Sequence, residues 1–323
     1  MAPTIERYGS GHINETYLVA CPNGPRYILQ KINTSIFTRA ELLKANVLRV
    51  TEYLQSRGVP SLEVVAYENP WRVYRFLEGY TSRDVVSEPR QAYDVGRAFA
   101  KFQNDLAELP APRLGEILPK FHDTPDRLRQ LDEAAAKDVK GRRASVAAEL
   151  AFVDTWRERA GRIVELMRTG EIPERVTHND TKINNVLIDA AGNSVVIDLD
   201  TTMPGSALFD FGDMVRTSTA AAAEDEVDLA KVFAKRDYFE ALARGYLEGA
   251  KFLTPSEREN LVFAGKLSTF EVGIRFLADF LAGDVYFHTA YPEHNLFRAR
   301  NQFKMVASLE EQTADFEEIV RGL

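Results

Sequence analysis

Apolar positions in the first quarter of the chain fall in short alternating runs, whereas later they recur three and four residues apart. The first spacing lines one face of a strand and the second one face of a helix. Ile5–Tyr8, Thr16–Val19, Arg26–Asn33, Ser61–Tyr67 and Trp71–Phe76 are therefore expected as strands, divided by turn formers such as Cys21-Pro22-Asn23-Gly24-Pro25 and Glu68-Asn69-Pro70. One helix interrupts them. Leu43, Val47, Val50 and Leu54 stripe Arg39–Arg57, and Gly58-Val59-Pro60 stops it. Asn46 shares that stripe, where an unpaired amide is costly, so it is expected to bond Gln30 or the loop ahead of the second strand.

Beyond Gly79 the pattern turns helical. Ala92, Val95, Phe99, Phe102 and Leu106 stripe a helix over Pro89–Leu109. Thr124-Pro125 reads as an N-cap with proline in the first turn of a helix reaching Lys137, and Ala144–Arg168 reads as one longer helix. Val186-Leu187-Ile188 and Ser194–Leu199 are β-type runs around the turn Ala190-Ala191-Gly192-Asn193, a hairpin pattern. Thr254-Pro255-Ser256-Glu257 is a capping box, opening a helix expected to continue to Leu281. That helix is apolar on most sides, yet Glu271, Arg275 and Asp279 share one line. Such a line is either a solvent-facing ion ladder or the border of a polar cleft.

The densest chemistry lies between Val176 and Asp200, where His178, Asp180, Lys182, Asn185, Asp198 and Asp200 gather around the hairpin runs. The hairpin would bring Asn185, before its first strand, close to Asp198, after its second. Two oxygen ligands converging there suit a hard cation such as Mg²⁺, and Asp180 could reach the same spot. An acid to engage a hydroxyl proton, a lysine to offset phosphate charge and an Asn–Asp pair for metal together form one solution to phosphoryl transfer. Single Asp and Asn residues near turns usually cap local backbone instead. Six polar residues at this spacing are harder to explain that way. By itself the segment specifies an alcohol kinase and no particular acceptor.

His178-x-Asp180-x-Lys182-x-x-Asn185, followed eighteen positions after Asp180 by Asp198, resembles the catalytic and metal-binding segments of the protein-kinase-like superfamily. Within it the chain resembles the small-molecule kinases of the aminoglycoside-phosphotransferase type. The longer string HNDTKINNVL…VIDLDTTMPG…FDFGD is similar to that of N-acetylhexosamine 1-kinases. The resemblance is strongest from Val176 to Arg216 and weaker between Leu106 and Thr169. It implies an α+β, bilobal protein-kinase-like fold, with a small β-rich N-lobe at residues 1–79 and a larger, mainly helical C-lobe at 80–323. The implied reaction uses ATP and Mg²⁺ to phosphorylate the anomeric 1-hydroxyl of GlcNAc or GalNAc. Asp180 would orient or deprotonate that hydroxyl, Lys182 would contact the γ-phosphate, and Asn185 and Asp198 would hold Mg²⁺, with Asp200 a supporting or second-metal acid. His178 would stabilise the loop. Asp210-Phe211-Gly212 spells the metal-binding tripeptide of protein kinases, but the hairpin favours Asp198, which leaves Asp210 a structural acid under the catalytic loop.

In this frame Gly9-Ser10-Gly11-His12-Ile13-Asn14-Glu15 would cover the nucleotide, with Asn14 and Thr16 toward the phosphates. Phe76 and Leu77 open the hinge whose backbone would bond adenine. Gln30 falls where kinases carry the phosphate-pairing lysine, and Lys31 points the other way. Arg275, Asp279, Tyr286 and His294 are the expected sugar contacts, because aromatics beside donors and acceptors suit a sugar's apolar faces and hydroxyl rim.

Composition trims the alternatives. A net charge of −8 speaks against nucleic acid or an anionic membrane as partner. The single cysteine, Cys21, excludes an intrachain disulfide. No apolar run reaches spanning length and no secretory pattern opens the chain, so a cytoplasmic location, where ATP is available, is expected. The acceptor side shows no dense acidic run near the expected sugar loops, which disfavours a polycationic acceptor. A kinase for another small alcohol (aminoglycoside, amino acid or choline-like) and a nucleotide-binding regulator without catalysis remain open. Oligomeric state is not expressed in the pattern.

Overall fold

The computed structural model describes residues 2–9, 11 and 13–323. Ser10 and His12 of the expected nucleotide loop lie outside these. The fold is protein-kinase-like, an antiparallel sheet followed by a mainly helical lobe. Strands β1 (Thr4–Arg7), β2 (Glu15–Ala20), β3 (Arg26–Lys31), β4 (Val64–Glu68) and β5 (Trp71–Arg75) pair in the order β1-β2-β3-β5-β4. Their registers place Gln30 opposite Thr16 on one side and Arg72 on the other. The expected strands agree to within a few residues at each end.

Helix α1 (Ala40–Ser56) buries Leu43, Val47, Val50 and Leu54 as its stripe requires. Asn46 corrects an expectation, for it does not reach Gln30. Its amide donates to the carbonyls of Gly115 (2.8 Å) and Thr202 (3.0 Å) and accepts from Gly115 N–H (3.0 Å). The amide therefore fastens α1 to the second lobe.

In that lobe α2 (Pro89–Leu106) packs along α8 (Arg236–Gly249) at unusually close range. A Cβ on Gly96 would collide with the backbone of Leu242 and Tyr246, and one on Gly245 with that of Tyr93. Helix α3 (Thr124–Lys137) is capped by Asp123, which accepts from Asp126 N–H (3.0 Å). Thr124, the expected cap, gives its hydroxyl to Glu271 instead (2.6 Å). The helix expected over Ala144–Arg168 is broken into a 3₁₀ turn at Arg143–Val146, then α4 (Ala147–Asp154), α5 (Arg157–Ala160) and α6 (Arg162–Thr169). Trp156, fully buried and stacked on Phe270 at 4.9 Å, sits at the first break, and Gly161 at the second.

Strand β6 (Arg175–Thr177) leads to the hairpin of β7 (Val186–Ile188) and β8 (Ser194–Val196), in which Val186 faces Val196. The second strand ends short of Leu199 because Asp198 adopts a left-handed conformation, φ 59°. β9 (Met203–Gly205) returns to pair with β6, and α7 (Ala207–Ser218) runs into the core. The capping box at Thr254 forms, with both of its hydrogen bonds present. Its helix α9 (Pro255–Glu259) nevertheless stops at Asn260, whose side chain donates back to Ser256 O (2.7 Å). The buried helix α10 (Leu261–Ala282) starts afresh there and packs on α3, α7 and α11 (His294–Glu311), followed by α12 (Thr313–Gly322). Among the described residues no helix is long and apolar enough to cross a membrane.

Candidate active site

The loop between β6 and β7 carries Asp180, and a buried scaffold holds its backbone rigid. Asp210, on the first turn of α7, accepts the N–H groups of His178 (2.8 Å) and Asn179 (2.7 Å) and the Gln103 amide (2.7 Å). Asp213, one turn on, accepts Thr181 N–H (2.9 Å) and is itself paired with Arg216 (2.8 Å). Both acids of the FDFGD string thus face the loop's backbone, where Asp210 was expected. His178 is buried between Phe99 and Phe102 and contacts Ile197 O through Nε2 (2.9 Å). Its Nδ1 accepts Asp180 N–H (3.3 Å), so Nε2 carries the proton and the ring serves as a strut.

The Asp180 carboxylate receives Lys182 (3.0 Å) on one oxygen and the Asn185 amide (3.1 Å) on the other. The carboxylate raises the Lys182 pKa, keeping the ammonium charged beside it. Asn185 donates only through its NH₂, so its side-chain oxygen has no partner among the described residues. Ile197 N–H bonds Asn185 O (2.9 Å), which brings the two ends of the hairpin together and sets Asp198 next to Asn185. The Asp198 carboxylate has no hydrogen bond or ion pair among the described residues. Surrounding protein, reinforced by Asp200 and Asp180, pushes its pKa up to about 6. Its outer face is open to the cleft, which moderates the desolvation, whereas the repulsion between carboxylates remains.

Free oxygens on Asn185 and Asp198, among crowded carboxylates, fit a hard divalent cation. Among the described residues no three His, Cys, Asp or Glu side chains cluster closely enough to hold a metal by themselves. Such a partial shell suits Mg²⁺, which keeps waters and takes phosphate oxygens.

Above the loop, Asn14, Thr16 and Gln30 are joined to one another through Arg72, a residue that no motif marks. Gln30 donates to the Thr16 hydroxyl (3.0 Å) and accepts from Arg72 Nε (2.9 Å). Arg72 also pairs with Asp200, whose second oxygen accepts the Asn14 amide (2.6 Å). The pair is dry, its side chains 1% and 3% exposed. Arg72 alternates with buried Tyr74 on the inner face of β5. An arginine at an inward strand position was the signal that could have found it.

At the hinge, Phe76 N–H is spent on Arg26 O (3.0 Å), extending the ladder, and the Arg26 guanidinium lies over the Phe76 ring (4.0 Å). Leu77 N–H has no backbone partner among the described residues. A cavity of about 300 Å³ next to it is lined by Gly79, Thr81, Ile183, Val186 and Ile188.

On the expected sugar side the four residues separate. The Arg275 guanidinium lies over Phe121 (5.5 Å) and Phe287 (5.6 Å) and has no ion pair among the described residues. Tyr286 is 58% exposed on the loop after α10. Asp279 is corrected from sugar contact to loop clasp. Its carboxylate accepts the N–H groups of Val285 (2.9 Å), Tyr286 (2.8 Å) and Phe287 (2.9 Å) and the Asn295 amide (2.9 Å), which fills its lone pairs. Asp279→Ala should therefore cost stability, by about 1–3 kcal/mol from the buried Asn295 amide left unpaired together with three partly buried N–H groups, and thermal unfolding would register it. His294 is likewise turned inward: it is buried, accepts Ala290 N–H (3.1 Å) through Nδ1 and stacks on Tyr291. Asp225 lies 3.5 Å from its Nε2, so the acidic stretch Glu224-Asp225-Glu226, remote in sequence, does border this loop. Glu224 and Glu226 are paired with Arg216 (2.6 Å) and Lys231 (3.7 Å). Nearer the catalytic loop, His122 stacks on Phe209 (4.8 Å) and bonds Glu271 (2.7 Å). Burial opposes ionisation of Glu271, but His122 and Thr124 outweigh it and hold the carboxyl below its usual range.

A two-lobed kinase-like fold with an acid-bearing loop beside a hairpin is the architecture of a phosphotransferase. Residues 4–252 match the model of the phosphotransferase enzyme family, and the chain belongs to that family. Solved structures agree in fold. A microcompartment-associated aminopropanol kinase matches at 17% identity and TM-score 0.65, covering 98% of this chain and 94% of that one. Choline kinase from Cryptosporidium parvum matches at 15% identity and TM-score 0.62, with 99% and 92% covered. An ADP-bound aminoglycoside phosphotransferase matches at 12% identity and TM-score 0.59, with 95% and 94% covered.

Proposed function

We propose that this protein is an ATP- and Mg²⁺-dependent kinase of a small alcohol, and that the alcohol is the anomeric hydroxyl of an N-acetylhexosamine. The observation that carries the kinase reading is the hairpin that sets Asp198 beside Asn185, with Asp180 bonded to the same asparagine. Asp180 takes the acceptor hydroxyl proton as the oxygen attacks the γ-phosphorus of ATP and the bond to the departing ADP breaks, and Lys182, held charged by Asp180, faces the developing phosphoryl charge. Asn185 and Asp198 would hold the metal, which supplies charge neutralisation on the phosphates. Leu77 N–H offers adenine a donor at the hinge.

The acceptor reading rests on the resemblance and on Arg275. That guanidinium already lies over the faces of Phe121 and Phe287. A quaternary ammonium needs such faces open, whereas a neutral polyol can use the arginine as a donor. An amino-alcohol or aminoglycoside acceptor is the second reading. Asp225, half exposed beside the acceptor loop, favours it, as do the aminopropanol, choline and aminoglycoside kinases of like fold.

A panel of acceptors with MgATP decides between them. GlcNAc or GalNAc should turn over, and glucose should be poorer because groups built to bond the N-acetyl substituent would be left unpaired. The product's phosphorus resonance should couple to the anomeric proton, and the methyl glycoside, its O1 blocked, should not react. Phosphorylation of the methyl glycoside at C6 defeats the 1-kinase reading. Preference for choline, aminopropanol or an aminoglycoside replaces it with the second.

A further inference from the structure

The buried Arg72–Asp200 pair takes no part in the steps above, yet its hydrogen bonds reach strand β3 and the loop before β2. Asp200 follows the metal-suited Asp198 by two residues, and its neighbour Thr201 donates to His178 O (2.6 Å) in the catalytic loop. Its carboxylate joins Arg72 of β5 to Asn14 of the loop before β2. Asn14 Oδ1 in turn accepts Asn33 N–H (3.0 Å), just past β3. Gln30 holds the other edge of the guanidinium and passes the chain of bonds to Thr16. We propose that Arg72 and Asp200 are positioning residues, a clasp that sets the glycine loop above the nucleotide in register with Asp198.

In the kinase pattern that alignment falls to a strand lysine and a helix carboxylate. Here β3 presents Gln30, and Asn46 of α1 is committed to Gly115 and Thr202, so neither half of that pair exists at those positions. Arg72, directly across from Gln30, fills the gap from the neighbouring strand. Stability alone is a weak reason for such a pair. Removing both charges from water costs about as much as their attraction returns, whereas fixed geometry is what a dry, charge-assisted network supplies.

The clasp rests on the nucleotide reading, and its test separates the two. Nucleotide affinity is measured without acceptor, with and without Mg²⁺, for wild type, Asn14→Ala, Asp200→Asn and the double variant. Melting temperatures of the free proteins are taken alongside. If Asn14 works through Asp200, each single change weakens ATP about tenfold or more, the scale of a lost charge-assisted hydrogen bond, and the double variant is no worse than the weaker single. Additive losses overturn the clasp, as does Asp200→Asn with a lowered melting temperature but unchanged affinity. Should Asp200→Asn fail to fold, Asn14→Ala and Gln30→Ala carry the same cycle. They share no bond with each other, so coupling between them supports the clasp and additivity overturns it. A wild type that binds no nucleotide overturns the nucleotide reading and the clasp together.

Discussion

Replacing Asp180 with asparagine should lower turnover by about 10²–10⁴-fold, the usual contribution of a general base, and leave nucleotide affinity nearly unchanged. The substitution keeps the side chain's shape and its reach to Asn185 and Lys182, but its amide cannot accept the hydroxyl proton. The loop itself should not move, because it is held from below. Asp210 and Asp213 grip the N–H groups of His178, Asn179 and Thr181, and none of those bonds involves the Asp180 side chain. Lys182 loses the carboxylate that keeps it charged, yet a lysine at the cleft mouth remains protonated at neutral pH. Single-turnover kinetics with saturating MgATP isolate the chemical step from product release. A chemical rate within a fewfold of wild type would remove Asp180 from the reaction.

Local pattern predicted well those elements whose causes are local. The alternation in β2, β3 and β5, the stripe in α1 and the capping box at Thr254 each depend on residues a few positions apart, and each formed where expected. The larger failures share one physical origin, partners distant in sequence. Ala144–Arg168 has helical composition throughout, but seating Trp156 against Phe270 of α10 rewards a break that nothing nearby announces. Asn46 was recognised as a buried amide needing partners, and its partners proved to be carbonyls at Gly115 and Thr202. Asp279 lies on the same helical line as Arg275, and periodicity cannot tell a carboxylate facing a ligand from one saturated by the loop that follows it. Arg72 was legible in principle. A charged residue alternating inward with Tyr74 must find a counter-charge, although the strand gives no hint that Asp200 supplies it.

The two aspartates that could claim the metal should respond oppositely to removal. The Asp198 carboxylate has no hydrogen bond to lose among the described residues, and it is crowded by Asp200 and Asp180. Asp198→Ala should therefore leave the melting temperature of the metal-free protein unchanged or slightly raised, since a repulsive charge disappears. It should also raise the Mg²⁺ concentration for half-maximal activity by more than about 100-fold, because even residues that merely support a ligand are worth about 10–100-fold in metal affinity. Asp210 is the reverse case. It is fully buried and accepts two backbone N–H groups and the Gln103 amide, so Asp210→Ala strands three donors without solvent. At about 1–3 kcal/mol per buried unsatisfied group, the loss is several kcal/mol, a large part of the stability of an ordinary domain. Whatever Asp210→Ala protein folds should show its Mg²⁺ midpoint near wild type, with activity limited by the folded fraction. Melting in EDTA and Mg²⁺ titration of both variants read the two effects separately. A shifted Mg²⁺ midpoint in Asp210→Ala, with an unshifted one in Asp198→Ala, would transfer the metal from the hairpin to the aspartate of the DFG tripeptide.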